Sequence, residues 1–233
     1  MQISLITPTG GRPEAFALCE RWMRQQTYLG PVQWIIVDDC EPYTPINNDG
    51  ALVRWSFSRE VIRPDPKWSG ENTQHRNILA ALDAVKHDKI LFIEDDDYYG
   101  PNYLERMSGL LDEHEVAGQI PTVVYNVRYR GWMDHENKEH ASFSQTGIRS
   151  SQIPILKQIC ADRNCCIDIE LYKHTNHQLV EGRDVLSIKG MPGRPGPMQT
   201  HDNDQRFTMD PDMEKLREFI GDDAGHYAEF YRP

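Results

Sequence analysis

The stretch that most constrains this chain is residues 89–97, Lys-Ile-Leu-Phe-Ile-Glu-Asp-Asp-Asp. Residues 90–93 form a short, unbroken apolar run, the pattern of a strand buried on both faces of a parallel sheet. The run stops abruptly at Glu94, Asp95, Asp96 and Asp97. Adjacent carboxylates repel and raise one another's pKa unless a cation sits among them. Oxygen ligands at the carboxyl end of a buried strand suit Mg²⁺ or Mn²⁺, which can in turn hold a phosphate-bearing ligand. Open α/β sheets bind their ligands at that same edge. An acidic run in isolation is more often a solvated turn. Placed directly after a buried strand, it reads as a cation site.

At 233 residues the chain is long enough for one large α/β domain with a substantial core, or for two closely fused halves. Its formal net charge of −11 argues against indiscriminate adhesion to nucleic acid or an anionic membrane, while leaving room for a local basic groove. No stretch reaches the apolar length of a membrane span, and the amino terminus runs into a strand without a signal peptide. Five cysteines, Cys19, Cys40, Cys160, Cys165 and Cys166, form an odd set with no disulfide-like spacing. The expected compartment is a reducing cytoplasm.

In chain order, residues 3–6 form a first strand, followed by Thr7-Pro8-Thr9-Gly10-Gly11-Arg12-Pro13. Pro13 suits the first position of a helix, which Phe16, Cys19 and Met23 continue at helical spacing. Such a turn offers free backbone N–H groups near the ligand edge, although it lacks the Gly-Lys-Ser/Thr of a P-loop. A second strand, 32–37, ends in Asp38-Asp39, placed either to accept hydrogen bonds from a base or ribose or simply to cap a turn. A weaker third strand lies within 52–62. Asn72 or Thr73 can cap the next helix, whose apolar face is Ile78, Leu79, Leu82 and Val85 and whose early turns carry Arg76 and Asn77.

The second half is less regular. Pro101 opens a helix with Leu104, Met107, Leu110 and Leu111 inward. Residues 121–129 and 141–148 read as strands, with a polar loop or hairpin connection over 131–140. Residues 150–174 read as helical with a break near Asn164-Cys165-Cys166, and Asp168 and Glu170 lead the second piece. An acid there either caps the helix or serves a substrate. After a last strand at 184–188 comes a Gly/Pro-rich loop, 189–201, expected to act as a lid, with Arg194 able to meet phosphate and His201 able to ligate a metal. The last 24 residues read as a short helix at 212–220 and a polar tail.

Taken together, Thr7-Pro8-Thr9, Asp38-Asp39, Arg76-Asn77 and Ile93-Glu94-Asp95-Asp96-Asp97 in this order resemble the family-2 glycosyltransferases of GT-A fold. The resemblance implies an α/β, Rossmann-like fold with a central, mostly parallel sheet. It implies one catalytic domain over 1–233, with a nucleotide-sugar-binding half at 1–97 and an acceptor half at 98–233. The acids after the fourth strand would be the "DXD" motif, holding Mn²⁺ or Mg²⁺ on the donor's diphosphate. Asp95 and Asp97 would serve the cation, with Asp96 competing for that role and His201 completing the shell. Asp39 would touch the base or ribose. Thr7, Pro8, Thr9, Arg12, Asp38, Arg76, Asp95, Asp96 and Arg194 would complete the donor site, and a UDP-sugar is the expected donor. Residues 166–171 look like the family's acceptor-side "ED" segment with Ile167 in place of the glutamate, which makes Asp168 the general base of an inverting transfer.

A saccharide or small molecule is the expected acceptor. The alternative is a hydroxymethylated pyrimidine in DNA, as with some phage transferases, with Arg128, Arg130, Arg149, Arg163, Tyr125, Tyr129 and Trp132 lining a groove. A nucleotidyltransferase also holds a cation through aspartates beside a parallel sheet. A zinc module built on Cys160, Cys165, Cys166, His174 and His177 is the remaining rival, although its Cys-x₄-Cys-Cys spacing fits no paired zinc knuckle.

Overall fold

A computed structural model describes residues 2–46, 57–70, 72–135, 137–194 and 206–231. Its first six elements are β1 (Ile3–Thr9), α1 (Pro13–Gln25), β2 (Val32–Asp38), β3 (Phe57–Ile62), α2 (Gln74–Leu82) and β4 (Lys89–Phe92). The four strands pair in parallel in the order β3-β2-β1-β4. The apolar residues of these strands feed two cores by simple alternation. Along β2, Val32, Trp34 and Ile36 enter one core while Ile35 and Val37 enter the other. Leu91 and Ile93 part from Ile90 and Phe92 in the same way. Strands apolar on both faces must lie between two covering layers.

Those layers are the amphipathic helices. Phe16, Cys19, Trp22 and Met23 of α1 seal the first core, and Ile78, Ala81 and Leu82 of α2 seal the second. Full burial of a side chain of this size stabilises the fold by about 1.5–3 kcal/mol. Thr73 is the N-cap residue of α2, but its hydroxyl makes no capping bond. It donates to Asp39 instead.

The remaining elements are β5 (Tyr98–Tyr99), α3 (Tyr103–Glu113), β6 (Val116–Ile120), β7 (Thr122–Asn126), β8 (Gly131–His135), β9 (Thr146–Arg149), α4 (Ile153–Asp162), α5 (Ile167–His174), β10 (Gln178–Glu181), β11 (Val185–Lys189), β12 (Thr208–Met209) and α6 (Glu214–Ile220). They extend the first sheet to seven strands, β10-β6-β9-β4-β1-β2-β3, and add a five-stranded sheet, β12-β8-β7-β11-β5. β9 runs antiparallel to both of its neighbours, β4 and β6, within an otherwise parallel sheet. Among the described residues no helix is long and apolar enough to cross a membrane.

Several local expectations change. Part of the 131–140 loop is strand β8, held by β7 with Tyr125 opposite Trp132. The strand expected at 141–148 is a short 3-10 turn, Phe143–Gln145, and then β9. β6 was not evident from sequence because its middle residue is Gly118, where an added Cβ would collide with the Tyr172 hydroxyl. The carboxy-terminal tail is not a polar appendage. It forms a 3-10 helix, Gly221–Phe230, whose Tyr227 is buried and accepts a 3.2 Å hydrogen bond from Trp22 Nε1.

Candidate active site

The carboxyl ends of β1, β2 and β4 meet at one edge of the sheet, and the acidic run leaves β4 there as a turn. That turn sorts the four acids. Asp95 is wholly buried, accepts a 2.7 Å hydrogen bond from Thr9 Oγ1 and pairs with Arg12 Nη2. Glu94, Asp96 and Asp97 bring one carboxylate oxygen each to within 4.8 Å of one another. Of the Asp95–Asp97 pair expected from the motif, Asp97 therefore gathers with Glu94 and Asp96, and Asp95 does not. Asp95 is withdrawn from that group by the Thr9 hydroxyl and the Arg12 guanidinium.

Each of the trio is held from outside. Gln74 Nε2 donates to Glu94 Oε1 at 2.7 Å, and Arg12 Nη1 reaches Asp96 Oδ2 at 2.8 Å. Asp97 Oδ1 accepts from Ile188 N at 2.9 Å and Ser187 Oγ at 3.3 Å, with Lys189 Nζ at 3.4 Å. Asp97 Oδ2 is buried and has no hydrogen-bond partner within normal geometry among the described residues. A buried, unsatisfied carboxylate oxygen is costly unless something else occupies its lone pairs.

The electrostatics say the same. When all four acids are ionised, Arg12 and Lys189 offset only two of the charges. Burial pushes Glu94 up to about 8, with Asp97 and Asp96 adding repulsion. It pushes Asp95 up to about 6 against the pull of Arg12, and it raises Asp97. Asp96 is lowered despite burial, because Arg12 and Lys189 both face it. Burial alone would lower Arg12 and Lys189, but the surrounding carboxylates outweigh it and raise both. Without a further cation the cluster relieves its crowding by keeping a proton. Three clustered carboxylates with one orphaned oxygen form an all-oxygen donor set, which fits a hard divalent ion such as Mg²⁺ or Mn²⁺.

A cleft of ≈ 410 Å³ runs past this cluster. At one end Asp39 accepts 2.8 Å from Arg194 Nη1 and is also bonded by the Thr73 hydroxyl, while Arg194 Nη2 lies 2.5 Å from Thr73 Oγ1. The backbone makes this closure possible at two glycines. Gly193 has a φ of +107°, and any Cβ on it would strike the Gly11 carbonyl; a Cβ on Gly10 would strike Asp39. The same cleft is lined by Asp168, in the first turn of α5, together with His135, His140, Cys165 and Cys166. Asp168 is half-buried and accepts 2.9 Å from the Ile169 N–H. Burial raises its pKa, and hydrogen bonds from the backbone and the nearby His140 hold the rise back.

Of the residues expected at a donor site, Pro8, Thr9, Arg12, Asp39, Asp96 and Arg194 line this cleft. Three others are engaged elsewhere. Thr7 is buried and accepts 2.8 Å from Trp34 Nε1. Asp38 is buried at the end of β2, where it accepts 2.7 Å from Thr44 N. Arg76 bonds the Ser69 carbonyl at 3.1 Å, and its neighbour Asn77 lines the cleft instead, held by Trp68 Nε1 at 2.7 Å. His201 and the part of the 189–201 loop beyond Arg194 lie outside the described residues. Nothing in the sequence singles out Gln74, His135 or His140, and Thr73 reads there only as a helix cap; their places in the cleft lining select them.

The chain matches the profile of Glycosyl transferase family 2 over residues 4–174. It belongs to that family. No curated protein sequence matches it. Among solved structures, S. aureus TarS 1-349 is similar with a TM-score of 0.58 at 16% identity, over 81% of this chain and 60% of that one. TarS 1-349 in complex with UDP-GlcNAc gives 0.54 at 15% identity, over 83% and 60%. A further TarS structure gives 0.53 at 12% identity, over 81% of this chain and 37% of that one. Likeness at such identities is likeness of fold, and the chain spans three-fifths or less of the length of these three structures. The mixed α/β architecture with its mostly parallel central sheet is the GT-A fold of family 2.

Among the described residues, Glu94, Asp96 and Asp97 are the one group of His, Cys, Asp or Glu with metal-ligand spacing, so the cysteines and histidines near α5 assemble no zinc site. Of the arginines and aromatics suggested for a DNA groove, Arg163 pairs with Glu170 and Arg149 binds Asp88 near the start of β4. Tyr125 and Trp132 face each other across β7 and β8, with Tyr125 also bonded to Asp210.

Proposed function

We propose that this family-2 chain is a glycosyltransferase that moves a sugar from a nucleotide-diphosphate-sugar, a UDP-sugar, to an acceptor hydroxyl of a saccharide or small molecule, with inversion. Residues 1–97 form the donor half and 98–233 the acceptor half of one catalytic domain. The observation that carries this reading is a single cleft lined both by Glu94 and Asp96, two of the three clustered carboxylates, and by Asp168, a carboxylate of raised pKa on α5. That S. aureus TarS 1-349 is solved with UDP and with UDP-GlcNAc supports uridine as the base.

Departure of the diphosphate builds negative charge on its oxygens, while the sugar takes on oxocarbenium character. Glu94, Asp96 and Asp97 would hold Mn²⁺ or Mg²⁺, which supplies Lewis-acid stabilisation to the departing diphosphate when bound. Arg12 and Lys189 favour the ionised form of Asp96, and their fixed positive charge adds electrostatic stabilisation beside the leaving group. Asp39 accepts hydrogen bonds from the nucleoside once Arg194 and Thr73 release it. Asp168 takes the proton of the acceptor hydroxyl. Its raised pKa makes it a stronger base than an exposed aspartate.

A thermal-shift screen of nucleoside diphosphates and nucleotide-sugars, with and without Mn²⁺, tests the donor assignment. The expected result is stabilisation by UDP and a UDP-sugar that grows with Mn²⁺. Release of pyrophosphate from a nucleoside triphosphate, with no response to UDP-sugars, would make the chain a nucleotidyltransferase instead.

A further inference from the structure

Cys165 and Cys166 are adjacent, both are exposed, and both line the cleft wall that carries Asp168. The reaction proposed above uses neither. Cys166 sits at the N-cap of α5 with φ +57°, a left-handed conformation that costs a non-glycine residue on the order of 1–3 kcal/mol. The turn leaves the two side chains within hydrogen-bonding reach of each other, and the Cys165 thiol raises the pKa of Cys166, with burial second. Elsewhere in the chain, Cys19 and Cys160 are buried, and Cys40 is half-buried with Arg194 Nη1 at 3.6 Å from its sulfur. Exposed thiols are therefore concentrated in one pair.

We propose that Cys165 and Cys166 form a vicinal dithiol site for soft electrophiles that bind two sulfurs at once, trivalent arsenicals being the chemical class, and that filling it closes the acceptor end of the cleft. A disulfide is the poorer product. Consecutive Cα atoms lie about 3.8 Å apart, below the roughly 4.4–6.8 Å that disulfides span, so a direct S–S bond is strained and easily reduced. A bridging atom between the sulfurs relaxes that constraint. With an arsenoxide, two As–S bonds form and the arsenic–oxygen bond breaks. The oxygen leaves as water with both thiol protons, and arsenic stays trivalent. The adduct sits two residues from Asp168, at the start of the same helix. The closure part of the proposal rests on the glycosyl-transfer reading; the dithiol site does not.

The test is intact-mass analysis of the full chain treated with phenylarsine oxide in excess monothiol. One adduct, of protein plus reagent minus water, is expected, and dithiothreitol should reverse it. Cys165→Ser and Cys166→Ser should each abolish it, while iodoacetamide still alkylates the thiol that remains. In the adduct, sugar transfer should fall by more than about tenfold with the UDP Kd changed by less than about twofold. No adduct on the wild-type chain, or an adduct that survives either serine variant, overturns the site. Undiminished transfer by the adduct overturns the closure. A chain that forms the adduct as described but binds no nucleotide-sugar sinks the proposed function and leaves the dithiol site standing.

Discussion

Arg12→Met removes the cation that faces Asp95 and Asp96 while keeping most of the side-chain volume. Asp95 is fully buried and Arg12 is only 16% exposed, so the variant strands a carboxylate away from water. Breaking a buried pair from one side costs about 3–5 kcal/mol when the remaining charge persists. Asp95 already sits near 6 with Arg12 in place, and loss of Arg12 removes the main influence that lowers it. The stranded group therefore escapes its penalty by protonation, and each pH unit is worth about 1.36 kcal/mol on that balance. The sign follows from linkage. A carboxyl whose folded pKa is raised binds more protons folded than unfolded, so the variant loses stability as pH rises. In metal-free buffer with a chelator, urea unfolding should show a deficit of about 3–5 kcal/mol at pH 8.5. At pH 5 the deficit should shrink to about 1 kcal/mol, the worth of the lost hydrogen bonds. Arg12→Met/Asp95→Asn should recover most of the high-pH loss. Equal deficits at the two pH values, or no recovery in the double variant, would refute the reasoning.

Asp168→Asn should bind UDP-sugar as the wild type does and lose about 10²–10⁴-fold in kcat. In the wild type the acidic limb of kcat should lie above the ordinary aspartate value of 3.8, because a raised base is protonated earlier as pH falls. Gly193→Ala should cost about 1–3 kcal/mol in a thermal melt, since it combines a φ of +107° with a collision at the Gly11 carbonyl, and it should loosen Arg194 from Asp39. Tyr227→Phe takes away the acceptor for Trp22 Nε1 and should cost about 1–2 kcal/mol by urea unfolding.

The first 97 residues were legible because their signals are local. Residues 90–93 are apolar at every position and 32–37 at every position but Gln33, and a strand needs that only when both its faces are covered. The second half depends on partners distant in sequence. β8, with Trp132 and Met133 between Gly131 and Asp134, becomes strand because β7 is there to pair with it. Tyr227 becomes core because Trp22 offers it a bond across the molecule. The acidic run itself was plain, but its register was not. Side-chain direction in a four-residue turn depends on what stands nearby, here Thr9 and Arg12 taking Asp95 and leaving Glu94 with Asp96 and Asp97. The choice between Arg76 and Asn77 is of the same kind, decided by the Trp68 indole holding Asn77 at the cleft.

The central claim is that Glu94, Asp96 and Asp97 hold a divalent cation against a donor's diphosphate. Isothermal titration of UDP into the wild-type chain and into Asp97→Asn, each with and without Mn²⁺, tests it most directly. The account predicts that Mn²⁺ tightens UDP binding to the wild type by at least about tenfold and has no such effect on the variant. Wild-type UDP affinity that is the same with and without Mn²⁺ would contradict it.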